Sequence, residues 1–266
     1  MTSPSSSPQK LFLYDHPVSS YAQKVRLFLR EKNIPFDFAT PQGLGSGTGP
    51  SNLSSVNPRL EVPALVDGDL KLFDSTIIVQ YLEDKHPEPA LLPSDPAQKA
   101  RARMLEDVCD THYEAINWAY GEITMFERAT GELRDHLISQ IKGQTATIFS
   151  YLTEQLGTQP YFNGSSFGYG DICVAPMYNR SVAYGFGAAQ QSPLAEWHKR
   201  IREREHVKLT FAEMEQGLEK MKGLGKVFRE QSFKREYRDH RLEWMVKSGK
   251  SCRACLVYCL WLRLMS

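Results

Sequence analysis

A proline-rich segment divides this sequence into two parts of different character. The stretch HPEPALLPSDP, residues 86–96, contains four prolines, which stiffen the chain and interrupt helices and sheets. Before it, short strand-like runs alternate with helix-like runs, whereas helix-period patterns dominate after it, as far as about residue 222. The sequence therefore predicts an α/β domain over residues 10–88 and an all-helical domain over residues 97–222.

The order of elements before the prolines predicts the topology of the first domain. KLFLY alternates apolar residues as a strand does, and it is followed by the helix-like SYAQKVRLFLREK and a second strand-like run, IPFDF. VPALVDGDLKLF has two apolar runs around Asp67 and Gly68, which is typical of a hairpin because glycine readily adopts a positive φ. DSTIIVQYLEDKHP begins with helix-capping residues and stops at a proline. The result is β-α-β followed by β-β-α.

Helical spacing also predicts which side chains are buried. In the first helix, apolar residues recur from Tyr21 to Leu29 on one face, so Lys24 and Arg26 are expected outside. A second stripe follows in ARARMLEDVCDTHYEAINWAYGEI. Its members are Leu105, Val108, Cys109, His112, Tyr113 and Ile116. In FGYGDICVAP, Asp171 lies in a first helical turn, where its carboxylate can accept from free main-chain N–H groups, so we expect a structural role for it.

Charge and composition limit the kinds of binding partner and the cellular location that we expect for this protein. The 32 basic residues nearly balance the 31 acidic ones, so no global field favours nucleic acid or an anionic membrane, and the expected partner is a small molecule or a protein. Residues 1–9 are polar and rich in serine and proline, which predicts a disordered leader without a secretory signal and a cytoplasmic location. The five cysteines do not resemble a disulfide framework.

Two short motifs suggest binding of a small peptide-like molecule. A proline directly before a strand, in Val62-Pro63, is compatible with a cis bond that turns the main chain of Val62 outward to hold an extended peptide, or with a trans proline that ends a loop. Asp74 and Ser75 stand at a helix N-terminus, where the N–H groups attract an anion and the aspartate an ammonium group. An α-amino acid head group carries both charges, although these residues could also be a plain cap.

These motifs together resemble the cytosolic glutathione S-transferases. The resemblance rests on YDHPVSSYAQKVRLFLREKNIPF, NPRLEVPALVDGD, LFDSTIIVQYLEDKHPEPALLP and YFNGSSFGYGDICVAP, which occur in the family's order over about residues 11–222. It implies a thioredoxin-like N-terminal domain, an all-α C-terminal domain, glutathione bound mainly to the first, an electrophile between the two, and a homodimer. A looser resemblance of FKREYRDHRLEWMVKSG to C-terminal extensions of filamentous-fungal members points to a serine-type, fungal-like member.

The resemblance also implies roles for individual residues. Ser19 takes the place of the serine that donates a hydrogen bond to the glutathione sulfur, and Tyr14 and Ser20 are the alternatives for that role. Val62, before Pro63, would pair with the cysteinyl main chain of glutathione. Asp74 and Ser75 would hold the γ-glutamyl head group. Since Glu61 stands where relatives often have a basic residue, the contact to the glycyl carboxylate falls to Arg59.

The electrophile pocket is expected on the first long helix of the second domain. Tyr113, Asn117 and Tyr120 share a face there, although ordinary core packing would explain each of them as well. The resemblance implies glutathione transfer to a small electrophile, in detoxification or in secondary-metabolite (polyketide) biosynthesis. A glutathione-dependent isomerase or eliminase and a non-catalytic binding or regulatory protein are the alternatives, and Glu61 favours the last.

Residues 223–266 extend beyond the family core and are expected to be partly helical and then disordered. Three cysteines near the end (Cys252, Cys255, Cys259) have only His240 nearby as a fourth ligand, so no metal is predicted. The apolar run that contains them is far shorter than the roughly 20 residues that span a bilayer.

Overall fold

The computed structural model describes residues 10–42, 44, 51–127 and 129–222. Within this part, a four-stranded sheet with its helices comes first and helices alone follow, as the pattern on either side of the prolines predicts. The predicted leader at 1–9 and the predicted extension at 223–266 lie outside the described residues.

The sheet has the order β2-β1-β3-β4. Its strands are β1 (Leu11–Tyr14), β2 (Phe36–Ala39), β3 (Ala64–Asp67) and β4 (Leu70–Phe73). The first helix, α1 (Ser20–Glu31), connects the parallel pair β1 and β2, whereas β3 runs antiparallel to both β1 and β4. Gly68 turns the hairpin between β3 and β4 with a φ of 61°. A short helix, α2 (Ser51–Ser54), precedes β3, and α3 (Ser75–Lys85) follows β4. The predicted β-α-β and β-β-α order is confirmed.

In the second part of the described chain the regular elements are helices, apart from one isolated β-bridge between Tyr161 and Gly164. Its helices are α4 (Pro96–Val108), α5 (Glu114–Thr124), α6 (Gly131–Leu156), α7 (Tyr169–Ala183), α8 (Pro193–Arg202) and α9 (Glu205–Met221). A π-helical turn, Cys109–Tyr113, joins α4 to α5 without a break. This wider turn rotates the residues that follow it relative to an unbroken α-helix. His112 is therefore exposed, although the helical spacing places it on the buried stripe.

The core extends across both halves of the molecule. Phe28 of α1 is fully buried and meets the ring of Tyr169 edge to face at 6.2 Å, so α1 packs on α7, and it shares one hydrophobic core with Leu13 of β1 and Leu65 of β3. Burying one such aromatic side chain contributes about 2 to 3 kcal/mol. Cys109 and Cys173 are free, buried thiols within this core, and burial raises the pKa of both.

Lys24 and Arg26 are buried, and the expectation that they lie outside is wrong. Lys24 is completely buried, and Arg26 is 1% exposed. Burial of a charge is tolerated when it is paired and hydrogen-bonded. Arg26 has a carboxylate partner in Asp15, which accepts from its Nη1 at 2.6 Å, and a second in Glu213 of α9. Neither partner can be identified from the spacing within α1.

Hydrogen bonds to the ends of α1 and α3 hold the first part of the proline-rich segment. Lys32, at the end of α1, donates to the carbonyls of His86 and Pro89 at 2.6 and 2.8 Å. The carboxylate of Glu83 accepts from the main-chain N–H of Leu91 at 3.1 Å. The connection between the two halves is thus fixed by hydrogen bonds as well as by its prolines.

Asp171 has the structural role expected for it. Its carboxylate accepts from the main-chain N–H groups of Gly168 and Phe162, both at 3.0 Å, and from the indole of Trp197 at 2.7 Å. Burial raises the pKa of Asp171 to about 6, although these hydrogen bonds act in the opposite direction. It holds the start of α7 to the segment before it and to α8.

Candidate functional site

The register of the sheet brings the predicted binding motifs to the same end of its strands. Tyr14 lies opposite Ala39 on one side and Ala64 on the other, and Ala64 lies opposite Phe73. These four residues form one row across the sheet. The segment after β1, the turn before β3 and the segment after β4 therefore leave the sheet at the same end. These are the segments that carry Ser19, Val62-Pro63 and Asp74-Ser75.

Ser19 is the N-cap of α1. Its backbone is extended, with φ −68° and ψ 116°, and its Oγ accepts from the main-chain N–H of Ala22 at 3.3 Å. Accepting this bond uses an oxygen lone pair, so the hydroxyl proton remains available for donation. The half-buried side chain also stands at the positive end of the helix dipole. This position can stabilise a negatively charged acceptor.

Ser20 and Tyr14 have different surroundings. Ser20 is the first residue of α1, is completely buried, and accepts from Nη1 of Arg180 in α7 at 3.3 Å. Its hydroxyl faces the helical half. Tyr14 is half-buried at the end of β1, where its ring meets that of Phe12 edge to face at 5.0 Å. Of the three hydroxyls, that of Ser19 is the one placed at the helix start and partly open to solvent.

The peptide bond between Val62 and Pro63 is cis, which decides between the two interpretations of this dipeptide. Within the part of the chain that the structure describes, the main chain of Val62 makes no hydrogen bond. The turn before it is held by Asn57, whose Nδ2 donates to the carbonyl of Glu61 at 2.8 Å and whose Oδ1 accepts from the N–H of Arg59 at 2.9 Å. Sequence reasoning missed Asn57, although an Asn-Pro pair is a turn signal.

Arg59 lies at the same end of the sheet. Its exposed guanidinium is 5.4 Å from the ring centroid of Phe73, the last residue of β4. Phe73 directly precedes Asp74, so a positive charge lies close to the start of α3. Glu61 is also exposed, two residues away from Arg59.

Asp74 is the N-cap of α3, with a φ of 76°. Its Oδ1 accepts from the N–H groups of Thr76 and Ile77 at 3.0 and 3.4 Å. A carboxylate has about four lone-pair positions, so capping leaves acceptor capacity for an ammonium group. Asp74 is exposed and Ser75, the first residue of the helix, is buried. Capping and binding are compatible at this position.

A buried ionic network lies behind the start of α3, and sequence reasoning missed it. Nζ of Lys24 donates to Glu106 at 2.7 Å and to Asp110 at 2.6 Å, and Thr76 of α3 donates to Glu106 at 2.9 Å. Tyr169 of α7 donates to the second oxygen of Glu106 at 2.6 Å. Burial alone would lower the pKa of Lys24, but the charges of Asp110 and Glu106 outweigh it and raise the pKa. The network joins the sheet half to the helical half.

The structure separates the three residues expected to line an electrophile pocket. Tyr113 and Asn117 are buried, and both hydrogen-bond to the hydroxyl of Ser181, at 2.8 and 2.6 Å. Their polar groups are therefore satisfied inside the helical half. Tyr120 is half-buried, and its ring is tilted against that of Tyr184 with the centroids 4.9 Å apart, in an aromatic group that sequence reasoning did not identify.

The third ring of that group is Phe186, which meets Tyr120 edge to face at 4.7 Å. Tyr184 accepts a hydrogen bond from Nε of Arg180 at 2.9 Å, and the same guanidinium reaches Ser20. These aromatic rings are thus linked to the start of α1 through Arg180.

The described residues show neither a cluster of metal ligands nor a helix that could span a membrane. Among residues 10–42, 44, 51–127 and 129–222, no group of three or more His, Cys, Asp or Glu side chains is arranged to hold a metal ion. No described helix has both the length and the apolar character needed to cross a bilayer. The cysteines of the tail lie outside these residues.

Comparisons with known proteins agree with the fold. The model of the glutathione S-transferase N-terminal domain matches residues 13–90, and that of the C-terminal domain matches residues 127–200. Glutathione S-transferase U25 of Arabidopsis thaliana is 31% identical over 205 residues, which cover 74% of this chain and 87% of the relative. A stringent starvation protein A homolog of Coxiella burnetii is 28% identical over 221 residues, covering 80% and 96%.

Solved structures show the same architecture. A Tau class glutathione S-transferase from mango, Mangifera indica, superimposes with a TM-score of 0.66 at 23% identity and covers 80% of this chain and 97% of its own. A theta class enzyme from Xanthomonas axonopodis with glutathione bound gives 0.63 at 24% identity, covering 76% and 96%. The two family domains and the relatives at 30% identity or more show that this chain belongs to the cytosolic glutathione S-transferase family.

Proposed function

We propose that this protein binds glutathione, activates its thiol and transfers it to a small electrophile. In the reaction the glutathione thiol gives its proton to solvent water, the thiolate sulfur forms a bond to an electrophilic carbon, and a leaving group departs from that carbon with its electron pair. The placement of Ser19 carries the proposal, because a half-buried hydroxyl with a free proton stands at the N-terminus of α1.

Thiolate formation is the chemical step that this placement assists. A free thiol has a pKa of about 8.5, so only a few per cent is ionised at neutral pH. A hydrogen bond from Ser19 and the dipole of α1 both favour the charged sulfur. A decrease of about two pKa units, equivalent to about 2.7 kcal/mol, would leave most of the bound thiol ionised at pH 7.

The other predicted residues fit the rest of glutathione. The unpaired main chain of Val62, before cis-Pro63, can pair with the cysteinyl unit as a neighbouring strand would. Asp74 and the N-terminus of α3, which begins at Ser75, suit the ammonium and carboxylate of the γ-glutamyl head group. Arg59 provides a positive charge for the glycyl carboxylate.

For the second substrate, we propose a small apolar or aromatic electrophile. Tyr120 is the member of the predicted set with accessible surface, and Tyr184 extends the same aromatic group. Detoxification and secondary-metabolite synthesis both use such electrophiles.

We also propose a cytoplasmic homodimer. Ile77 on α3 and Met104 on α4 are 50% and 46% exposed, and these two helices meet where Thr76 contacts Glu106. A second copy that covers these apolar side chains would account for their exposure. A monomer in analytical ultracentrifugation at micromolar concentration would contradict the dimer.

Ser19→Ala is the first test. We expect the thiol pKa of bound glutathione to rise by about one to two units and turnover of an aryl halide at neutral pH to fall by about tenfold or more, because the hydrogen bond to sulfur is lost. The ultraviolet band of the thiolate, followed against pH, measures the first effect. Calorimetry gives the glutathione affinity.

Ser192→Ala is the matched control for this test. Ser192 caps α8 in the same way, accepting from the N–H of Ala195 at 3.2 Å. Each substitution is expected to cost about 1 kcal/mol of stability through the lost cap, but only Ser19→Ala should change the thiol pKa. Equal thiol pKa values in both variants would contradict the role of Ser19.

A non-catalytic binding or regulatory role is the second candidate, favoured by the exposed Glu61 where a basic residue is common in the family. Wild-type protein that binds no glutathione at millimolar concentration would exclude transfer and would leave this alternative. A glutathione-dependent isomerase or eliminase would instead bind glutathione and return it unchanged after turnover.

A further inference from the structure

The start of α1 is attached to the helical half through Ser20. Its Oγ accepts from Nη1 of Arg180 at 3.3 Å, and the same Nη1 donates to Oε1 of Glu114 at 2.5 Å. Nε of Arg180 donates to the hydroxyl of Tyr184 at 2.9 Å. Ser20, Arg180 and Glu114 are each at most 5% exposed. A fixed guanidinium therefore lies directly behind the residue next to Ser19.

The guanidinium keeps its charge in this position. Arginine is not deprotonated in proteins, and here the rings of Trp118 and Tyr184 lie 5.9 and 5.6 Å from its central carbon. Burial raises the pKa of Glu114, whereas the charge of Arg180 and the hydroxyl of Ser20 act to lower it. Arg180 and Glu114 thus form a buried pair of opposite charges.

Two other cations of α1 are buried, and each is compensated within its own network. They are Lys24 with Glu106 and Asp110, one turn further along α1, and Arg26 with Asp15 and Glu213, on the side of α9. Among the residues that the structure describes, Arg180 and Glu114 are the charged side chains that contact Ser20 directly.

We propose that Arg180 is a positioning residue for thiol activation, which holds the start of α1 and adds positive charge behind Ser19, and that Glu114 limits this charge. The inference rests on the proposed function, since it concerns the thiol of glutathione bound at Ser19. Neither residue needs to touch the substrate, because both act through Ser20 and through their electric field.

The two charges have opposite effects on the sulfur. A unit charge about 10 Å away at an effective dielectric constant of about 20 changes a pKa by roughly one unit. Glu114→Gln removes the compensating carboxylate but keeps the shape and one acceptor for Arg180. The remaining positive charge then favours the thiolate. This variant is expected to lower the thiol pKa of bound glutathione by about one unit.

The experiment measures the thiolate ultraviolet band of bound glutathione against pH in the wild type and in Glu114→Gln. The pH profile of kcat/KM for an aryl halide should move to lower pH by the same amount. Arg180→Gln is expected to change the thiol pKa in the opposite direction, because the positive charge is lost. Arg180→Lys, which keeps the charge, should restore most of the wild-type value.

Glu154→Gln is the matched control, since Glu154 is an exposed carboxylate on α6 and the substitution removes the same charge. It should leave the thiol pKa unchanged. Glu114→Asp is the second variant, for the case in which Glu114→Gln does not fold. It keeps the pair charged and withdraws the carboxylate by one C–C bond, about 1.5 Å. A smaller decrease in the thiol pKa is expected for it.

The outcomes distinguish this inference from the proposed function. A thiol pKa that is unchanged or raised in Glu114→Gln, or in Glu114→Asp where Glu114→Gln does not fold, overturns the inference and leaves the proposed function standing. A purely structural role predicts a raised thiol pKa in every variant that disturbs the start of α1. Wild-type protein that binds no glutathione overturns both.

Discussion

At the residue scale, the cap that Ser19 provides is compatible with the role proposed for its hydroxyl. A serine hydroxyl has one proton and two lone pairs, and capping the N–H of Ala22 occupies only a lone pair. The helix start that needs the cap is also the positive end of the dipole. The cap and the proposed donor therefore favour the same position, which explains why replacing Ser19 should affect both stability and the thiol pKa.

His198 gives a residue-scale prediction for the pH dependence of stability. It is buried against the rings of Tyr178 and Phe211, and its Nε2 lies 3.1 Å from Oδ1 of Asn179. Burial, together with the charge of Arg202, lowers the pKa of His198 to about 4. The folded protein thus holds His198 neutral at a pH where the unfolded chain is already protonated.

The sign of the effect follows from this lowered pKa. The contribution of His198 is fully present above the unfolded pKa of 6.5 and is lost as the pH falls towards about 4. The loss amounts to about 3 kcal/mol over that window. His198→Phe should remove this part of the pH dependence, which urea unfolding at several pH values between 4 and 7 measures. Identical slopes for wild type and variant would contradict it.

At the scale of the element, the close packing around Gly168 explains why the N-cap of α7 has no side chain. A Cβ on Gly168 would lie 2.0 Å from Nδ2 of Asn163 and 2.8 Å from the carbonyl oxygen of Leu91. Asn163 cannot move freely, because it donates to Leu91 at 2.8 Å and accepts from Gly170 at 2.9 Å. The close contact excludes a side chain that would otherwise improve the cap.

Gly168→Ala is therefore expected to destabilise the protein by about 1 to 3 kcal/mol through overpacking. Gly143→Ala is the matched control, since Gly143 lies inside α6 with nothing within 4 Å of an added Cβ. That substitution should stabilise the protein by up to about 1 kcal/mol, the ordinary preference of a helix for alanine. Midpoints of urea unfolding test both, and a stabilised Gly168→Ala would contradict the explanation.

The elements that could be predicted from sequence are those whose signals are local. The hairpin turn at Gly68, the cap at Asp74 and the order of strands and helices along the first half of the chain follow from patterns within a few residues. The π-helical turn between α4 and α5 has no comparable signal. Regular helical spacing therefore predicts that His112 lies on the buried face, whereas the structure leaves it exposed.

The residues of the candidate site also fall into two groups, those with a local sequence signal and those without one. Ser19, Val62 and Asp74 belong to segments that can be recognised in the sequence, and the register of the sheet brings those segments to the same end of its strands. Arg180 has no such signal, because its partner Ser20 is 160 residues away in the chain. Contacts of this kind depend on how α1 and α7 pack, and the helical period of either one alone does not reveal them.

At the scale of the whole molecule, buried and half-buried ionic contacts join the sheet half to the helical half. Arg30 of α1 forms a pair with Glu213 of α9, and Arg204 forms one with Glu31. Lys24 contacts both Glu106 and Asp110, which lie 82 and 86 residues away. These partners also explain why Lys24 faces inward, since two carboxylates of the helical half compensate its buried charge.

Lys24→Met tests how strongly this arrangement binds the two halves together. The substitution keeps an unbranched side chain but leaves the buried carboxylate of Glu106 and the half-buried one of Asp110 without their cation, so we expect a loss of about 3 to 5 kcal/mol at neutral pH. Part of this loss should be recovered at acidic pH, because burial raises the pKa of Asp110 and its protonation removes one unpaired charge. The free energy of unfolding in urea at two pH values measures both effects.

Lys10→Met is the matched control for Lys24→Met. Lys10 pairs with Asp37 at 2.5 Å, but the two side chains are 50% and 60% exposed. Water and salt screen such a pair, so its loss should cost at most about 1 kcal/mol. If the two substitutions destabilised the protein equally, the buried network would not hold the halves together more firmly than a surface contact does. The difference between them therefore measures the contribution of burial to the docking of the two halves.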